Sequence, residues 1–252
     1  MAEKMKYYFG AETAALLASK LGLDPDEYAN WVAPRVDDIE IKARVRVFAE
    51  GLQDRLPADY LEALDVIVNS FGPELAIGEG YFNYGFYWWP VGQFIEDYGL
   101  DYPEQSLAAI EALTKVFTGE WAVRPYLDRY RGLTMQHVQQ WVQSNSHNVR
   151  RLASEGIRPR LPWAKAYRPF MVDPSPIIPV LDQLFTDPTK YVRTSVANNL
   201  NDISRTHPDL AIETVSRWLS ADNSPETKWI ARRALRTLLR QDNIAALQLT
   251  VN

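Results

Sequence analysis

Apolar residues recur three and four positions apart through most of this 252-residue sequence, and runs of strict alternation are nearly absent. That period reads as an all-α protein. The clearest helices span residues 11–21, 37–51, 59–71, 104–117, 134–144, 176–186, 190–204, 209–220 and 225–240. Between them, LGLDPDE, RLPAD, FGPE, TDPT and THPD carry the Pro, Gly and Asp that end one helix and start the next. One segment departs from the pattern. GPELAIGEGYFNYGFYWWP, residues 72–90, is rich in aromatics and glycine, and reads as a loop packed under the N-terminal helices, without a function of its own.

The last hundred residues repeat weakly. HNVRRLASEG, KYVRTSVANNL and KWIARRALRTL superpose from Val149, Val192 and Ile230, at spacings of 43 and 38 residues. Each follows another short amphipathic segment, TMQHVQQWVQS, PIIPVLDQLF and PDLAIETVSRWL, so the unit is a helical pair of HEAT length. Stacked pairs build a solenoid whose second helices share one, concave, face. The arrangement predicts one domain over residues 1–252, with a first part to residue 117 and a repeat part from 118. Arg150, Arg193 and Arg232 or Arg233 then recur along the shared face like rungs.

Charge separates the same parts. Residues 1–117 carry 9 basic and 20 acidic side chains, 118–168 carry 9 and 3, and 169–252 carry 9 and 9. A net charge of −5 therefore hides a central segment of +6, and a local basic surface can bind a polyanion because charges screen one another beyond ~8 Å at physiological salt. With 46% hydrophobic residues, no cysteine, no apolar run approaching the ~18 residues of a membrane span and no signal-like start, the chain reads as a soluble cytoplasmic protein, a monomer without a membrane partner.

Within the basic segment, NVRRLASEGIRPRLPW places Glu155 among Arg150, Arg151, Arg158 and Arg160 and ends on Trp163. Glu120 opens EWAVRPY, and Asp202 ends SVANNLND. On stacked pairs these acids approach one cationic groove, where nearby positive charge keeps carboxylates ionised. Ordinary roles stand beside that one: Glu120 suits a helix N-terminus, Glu155 a salt bridge, Asp202 a solvated turn and Trp163 a core plug. His137, His147 and His207 lack metal-ligand spacing, and GxSxG, P-loop and GxGxxG patterns are absent. Neither a metal nor another cofactor is expected.

EWAVRPYL, NVRRLASEGIRPRLPW, YVRTSVANNLNDIS and KWIARRALRTL, in this order, resemble the AlkC branch of the AlkD-like alkylpurine DNA glycosylases. KYYFGAETAALLASKL and DYGLDYPEQSLAAIEALTKVFTGE extend the resemblance over essentially the whole chain. It implies a monofunctional base-excision repair glycosylase that binds duplex DNA and hydrolyses the N-glycosidic bond of cationic alkylated bases, chiefly 3-methyladenine. It also implies Glu120, Glu155 and Asp202 as catalytic acids and Trp163 and Trp121 as base-contacting rings. Arg124, Arg150, Arg151, Arg158, Arg160, Arg193, Asn198, Asn199, Arg232 and Arg233 fall among its DNA-contacting positions. Many AlkC-like proteins continue into an immunoglobulin-like domain that also grips DNA, whereas this sequence ends at LQLTVN, so weaker or more salt-sensitive binding is expected. The alternatives are a non-catalytic HEAT module of the same family that binds DNA structures and, more distantly, a protein-binding solenoid.

Overall fold

A computed structural model describes residues 5–76 and 84–250, and among the described residues the regular structure is entirely helical. Packing divides the chain into two units, 1–134 and 135–252.

The first unit contains α1 (Ala11–Lys20), α2 (Pro25–Val32), α3 (Ile41–Gln53), α4 (Tyr60–Asn69), α5 (Trp89–Tyr98), α6 (Pro103–Val116) and α7 (Val123–Arg129). LGLDPDE is more than a separator. The Asp24 carboxylate accepts from the backbone N–H groups of Asp26 and Glu27 at 3.0 Å each, and Pro25 supplies a helical φ, so the segment nucleates α2. Asp59 caps α4 in the same way. α1 packs on α2, α3 on α5, and α4 and α5 on α6.

The expected loop over 72–90 is corrected in its second half. Residues 77–83 lie outside the described residues, but Phe86–Trp88 form a 3-10 turn and Trp89 and Pro90 open α5, which buries every side chain from Trp89 to Ile95. Trp88 and Trp89 are core, whereas Tyr84 is exposed. Phe9 meets Phe48, Phe86 and Trp89 edge-on, each at 5.8 Å, and each large ring withdrawn from water contributes roughly 1.5–3 kcal/mol. A Gly- and Tyr-rich composition masked the helix, in which seven successive residues, Trp89 to Ile95, are buried.

Helix α8 (Arg131–Val142) carries the division between the units. The second unit continues with α9 (His147–Glu155), the short α10 (Arg168–Val172), α11 (Ile178–Leu184), α12 (Lys190–Ser204), α13 (Pro208–Ala221) and α14 (Pro225–Ala234), followed by α15 (Arg236–Leu239) and α16 (Ile244–Thr250). The helix expected over 225–240 breaks at Leu235. The repeat is present as helical pairs: α12 packs against α9 on one side and α14 on the other, while α11 and α13 pack behind it. Ser146 caps α9 and Ser224 caps α14, each accepting at 3.2 Å from the N–H three residues on.

Enclosure on so many sides explains the composition of α12. Its buried residues include Ser195, Asn199, Asn201, Asp202 and Ser204, and polar groups removed from water need partners within the protein. Asn199 Nδ2 donates to the Ser154 carbonyl at 2.7 Å, and Asn201 Oδ1 accepts from the backbone N–H of Thr237 at 3.2 Å. α12 is thus fastened by polar bonds to the helices on both sides of it.

Candidate active site

Three side chains form a buried ionic chain: Glu155 at the end of α9, Arg158 in the following turn and Asp202 on α12. The Arg158 guanidinium donates through Nη1 to Glu155 Oε1 at 2.6 Å and through Nε to Asp202 Oδ2 at 2.9 Å. Glu155 is 5% exposed, Arg158 6% and Asp202 3%. Ser195 donates to the other Glu155 oxygen, Oε2, at 2.6 Å, and Arg151, one helical turn back from Glu155, approaches Oε1 at 3.4 Å while its guanidinium stands over the Tyr191 ring. Glu155 is therefore a buried ion-pair partner, and through Arg158 it is joined to Asp202 from the next helical pair.

Local sequence explains the placement. Ser195, Asn199 and Asp202 are spaced four and three residues apart, so they share the face of α12 that meets α9. Gly156 follows Glu155, and Arg158 turns back with its N–H on the Glu155 carbonyl at 3.2 Å, bringing its side chain beside the carboxylate. Beyond it, the Tyr167 N–H donates to the Pro159 carbonyl at 2.9 Å and closes a loop with Trp163 on its outer side. Trp163 adopts φ +63° and is 42% exposed. It is not a core plug. A large side chain in the left-handed region costs about 1–2 kcal/mol, so the surrounding loop holds the ring there against local preference.

The two carboxylates differ electrostatically. Burial pushes Glu155 upward, but Arg151, Arg158 and the Ser195 hydroxyl together outweigh it and hold the group below the usual glutamate range. Burial also pushes Asp202 upward; there Arg158 compensates only in part, the Glu155 charge adds to the rise, and the group lies above the usual aspartate range. Burial also lowers Arg236, with Arg233, Arg158 and Arg205 adding to the effect, so several cations gather near Asp202.

Glu120, Trp121 and Arg124 belong to the first unit. Glu120 is buried in the turn before α7, and Trp121 stacks on Trp89 at 4.5 Å with its ring half-buried. Gly119 permits this turn, since a Cβ there would come within 2.6 Å of Ile110 Cγ2 and 3.1 Å of its carbonyl oxygen. Arg124 lies on α7, partly exposed.

Three positions expected to face DNA make bonds within the protein. Arg158 is buried between the two acids. Arg150 is engaged by Asp187 at 2.6 and 3.3 Å and donates to the Ser144 and Asn145 carbonyls, so it ties the start of α9 to the turn before α12. Asn199 is 0% exposed and clamps α12 to α9. Of the other cations of the row, Arg232 is exposed, and Arg160, Arg193 and Arg233 are half-buried, as Arg150 is. Arg233 donates to Asn198 Oδ1 at 3.3 Å and stands over the Trp229 ring, while Arg193 donates to the Asp187 carbonyl at 2.5 Å. Ser195, Arg205 and Arg236 were not among the expected residues. The four-and-three spacing of Ser195 with Asn199 and Asp202 was available as a signal for the first; nothing in the spacing singles out the other two.

Among the described residues no group of His, Cys, Asp or Glu is placed to hold a metal ion, and no helix is long and apolar enough to cross a membrane. A profile of the DNA alkylation repair enzyme family matches residues 96–238. The uncharacterized protein YhaZ of Bacillus subtilis (strain 168) is 39% identical over 212 residues, which are 84% of this chain, and the chain spans 56% of that protein's length. The structure of Pseudomonas fluorescens alkylpurine DNA glycosylase AlkC bound to DNA containing an abasic site analog superposes with a TM-score of 0.86 at 32% identity, over 97% of this chain and 67% of that one.

Proposed function

Because the chain belongs to the DNA alkylation repair enzyme family, we propose that it is a monofunctional DNA glycosylase acting in the cytosol on cationic alkylated bases, chiefly 3-methyladenine, in duplex DNA. The observation that carries this reading is the buried Glu155–Arg158–Asp202 chain, followed in sequence by the loop that exposes the ring of Trp163. A site built only to bind phosphates gains nothing from two withdrawn carboxylates, whereas a developing sugar cation does.

Alkylation at N3 puts a positive charge on the purine. When the bond from N9 to C1′ breaks, its electron pair goes to the base, which leaves neutral and needs no proton. The sugar becomes oxocarbenium-like, and nearby carboxylates stabilise it and orient the water that attacks C1′. Asp202, lifted above the usual aspartate range, is the better placed of the two to take that water's proton. Trp163 offers its face to the cationic base, an interaction worth ~0.5–2 kcal/mol. Glu120, with Trp121 and Arg124 beside it, is proposed as a further carboxylate of the reaction. No lysine lies within EWAVRPYL, NVRRLASEGIRPRLPW or YVRTSVANNLNDIS, Lys165 following only in the loop after Trp163, which disfavours a Schiff-base lyase.

Methylated duplex DNA incubated with the protein should release 3-methyladenine, leave abasic sites uncut and give no borohydride-trapped adduct. Duplexes containing uracil or hypoxanthine should give slow or no release, because the site has no evident acid for a neutral leaving group. Efficient uracil excision would overturn the mechanism. Tight binding to methylated DNA without release would favour the non-catalytic module instead.

A further inference from the structure

We propose that Arg158 is the positioning residue of this site, its single guanidinium holding Glu155 and Asp202 together as a pair of anions. The proposal rests on the glycosylase reading for its catalytic consequence, and on geometry for the rest. Two carboxylates brought close together and away from water resist ionising together, and such pairs commonly share one proton. Here a cation touches both, at 2.6 Å and 2.9 Å, and all three groups are withdrawn from solvent. Each acid is met by a different donor atom of one rigid, planar fork. The fork therefore sets the separation and orientation of the acids as well as their charge. Glu155 comes from α9 and Asp202 from α12, so Arg158 also sets the register of the two helical pairs where they meet.

The neighbouring groups make the role specific. Glu155 is faced by Arg151 on its own helix and by the Ser195 hydroxyl on α12, so it keeps partners without Arg158. Asp202 is influenced by Arg158, Glu155 and Arg205, and Arg236 and Arg233 lie farther out; of these cations only Arg158 forms an ion pair with it. Loss of Arg158 thus leaves Asp202 with a nearby anion and no directly bonded cation. Asp202 would then hold a proton to higher pH and lose its use as an anion.

The experiment is single-turnover release of 3-methyladenine from pH 5 to 9 by the wild-type protein and the Arg158→Gln, Arg158→Lys, Asp202→Asn and Arg158→Gln/Asp202→Asn variants, with carboxyl-carbon NMR titration of Glu155 and Asp202. In Arg158→Gln the acidic limb of the rate profile should move up by ~1 unit or more, and the neutral-pH rate should fall ~10²-fold. Arg158→Lys keeps the charge without the fork; its limb should stay near wild type while its rate falls ~10-fold. The double variant should be no more than a few-fold slower than Asp202→Asn alone, because Arg158 acts through that group. Arg217→Ala, which breaks the Arg217–Asp182 ion pair elsewhere in the second unit, should change neither limb nor rate.

An unmoved acidic limb in Arg158→Gln, or losses that multiply in the double variant, would overturn the proposal. Should Arg158→Gln fail to fold, a wild-type rate in Arg158→Lys overturns it alone. The titration decides the electrostatic role without catalysis: Asp202 should shift upward in Arg158→Gln, and an unchanged Asp202 overturns the pairing. If the wild-type protein releases no 3-methyladenine while the titration shifts, the glycosylase reading fails and the pairing stands.

Discussion

Glu155 and Asp202 are joined by one arginine and yet should respond differently to replacement. Glu155→Gln removes the charge that Arg151 and Arg158 both face, leaving buried cations short of a partner, which costs about 3 kcal/mol of stability. Asp202→Asn removes a charge that burial already disfavours, and should cost less. Both should lower excision by ~10²–10³ in protein still folded by circular dichroism, and near-wild-type rates in both would make the pair purely structural. The acids also act oppositely with pH. Glu155, held low in the folded state, contributes stability above its unfolded value of 4.5 that is lost as pH falls through its lower folded value. Asp202, held high, favours the folded state when protonated, an effect lost as pH rises from 3.8 through its folded value. Glu96, in the first unit, gives the cleaner test. Burial, with the adjacent Asp97, pushes it up to about 7, so the stability linked to its neutral form is complete below 4.5 and lost as pH rises from there to about 7. Glu96→Gln should raise unfolding stability at pH 8 by about 1–2 kcal/mol and leave it unchanged at pH 4, measured by urea titration.

At the level of elements, the loop after α9 and the helix α12 do different work. The loop holds Trp163 in a left-handed conformation that glycine adopts freely. Trp163→Gly should leave thermal stability unchanged or higher while excision of 3-methyladenine falls by tenfold or more, which corresponds to ~1.4 kcal/mol less stabilisation of the cationic base. A large drop in Tm with unchanged excision would instead mean that the half-exposed ring is a packing residue. α12 provides the rigid side of the site. Because Ser195, Asn199 and Asp202 share the face that meets α9, its polar bonds to Ser154 and Glu155 place Asp202 opposite Arg158.

Across the whole chain, binding to DNA depends on which arginines remain available rather than on how many are present. Arg232 is exposed and Arg160 half-buried, whereas Arg150 is engaged by Asp187, itself buried. Replacing Arg160 and Arg232 together by Ala should reduce the slope of log K against log[salt] for duplex binding by ~2, close to one unit for each phosphate that is no longer neutralised. Arg150→Ala should leave the slope unchanged and lower Tm, since Asp187 loses its charged partner. Equal slope changes in both experiments would show that Arg150 reaches phosphate despite its internal bonds.

The helical repeat, the uneven charge and the acids among the arginines were all legible in the linear chain, because each depends on residue type at short spacing. Periodicity of three and four identifies an amphipathic helix wherever one face meets water. It missed α5, which is buried nearly all round, and the helix begun by Pro25, whose turn-like residues cap it. Sequence could also place Glu155 among arginines, but not choose its partners. Arg150, Arg151, Arg158 and Arg160 look equivalent in a row, and tertiary structure separates them. Arg158 meets Asp202, 44 residues away, because α9 and α12 pack side by side, while Arg150 meets Asp187, 37 residues away. Burial decides which charges can remain open to a ligand, and it is a property of the packed helices rather than of any segment. The exposure of Trp163 was decided in the same way: its φ of +63° is held by the closed loop around it, against the preference of the residue itself.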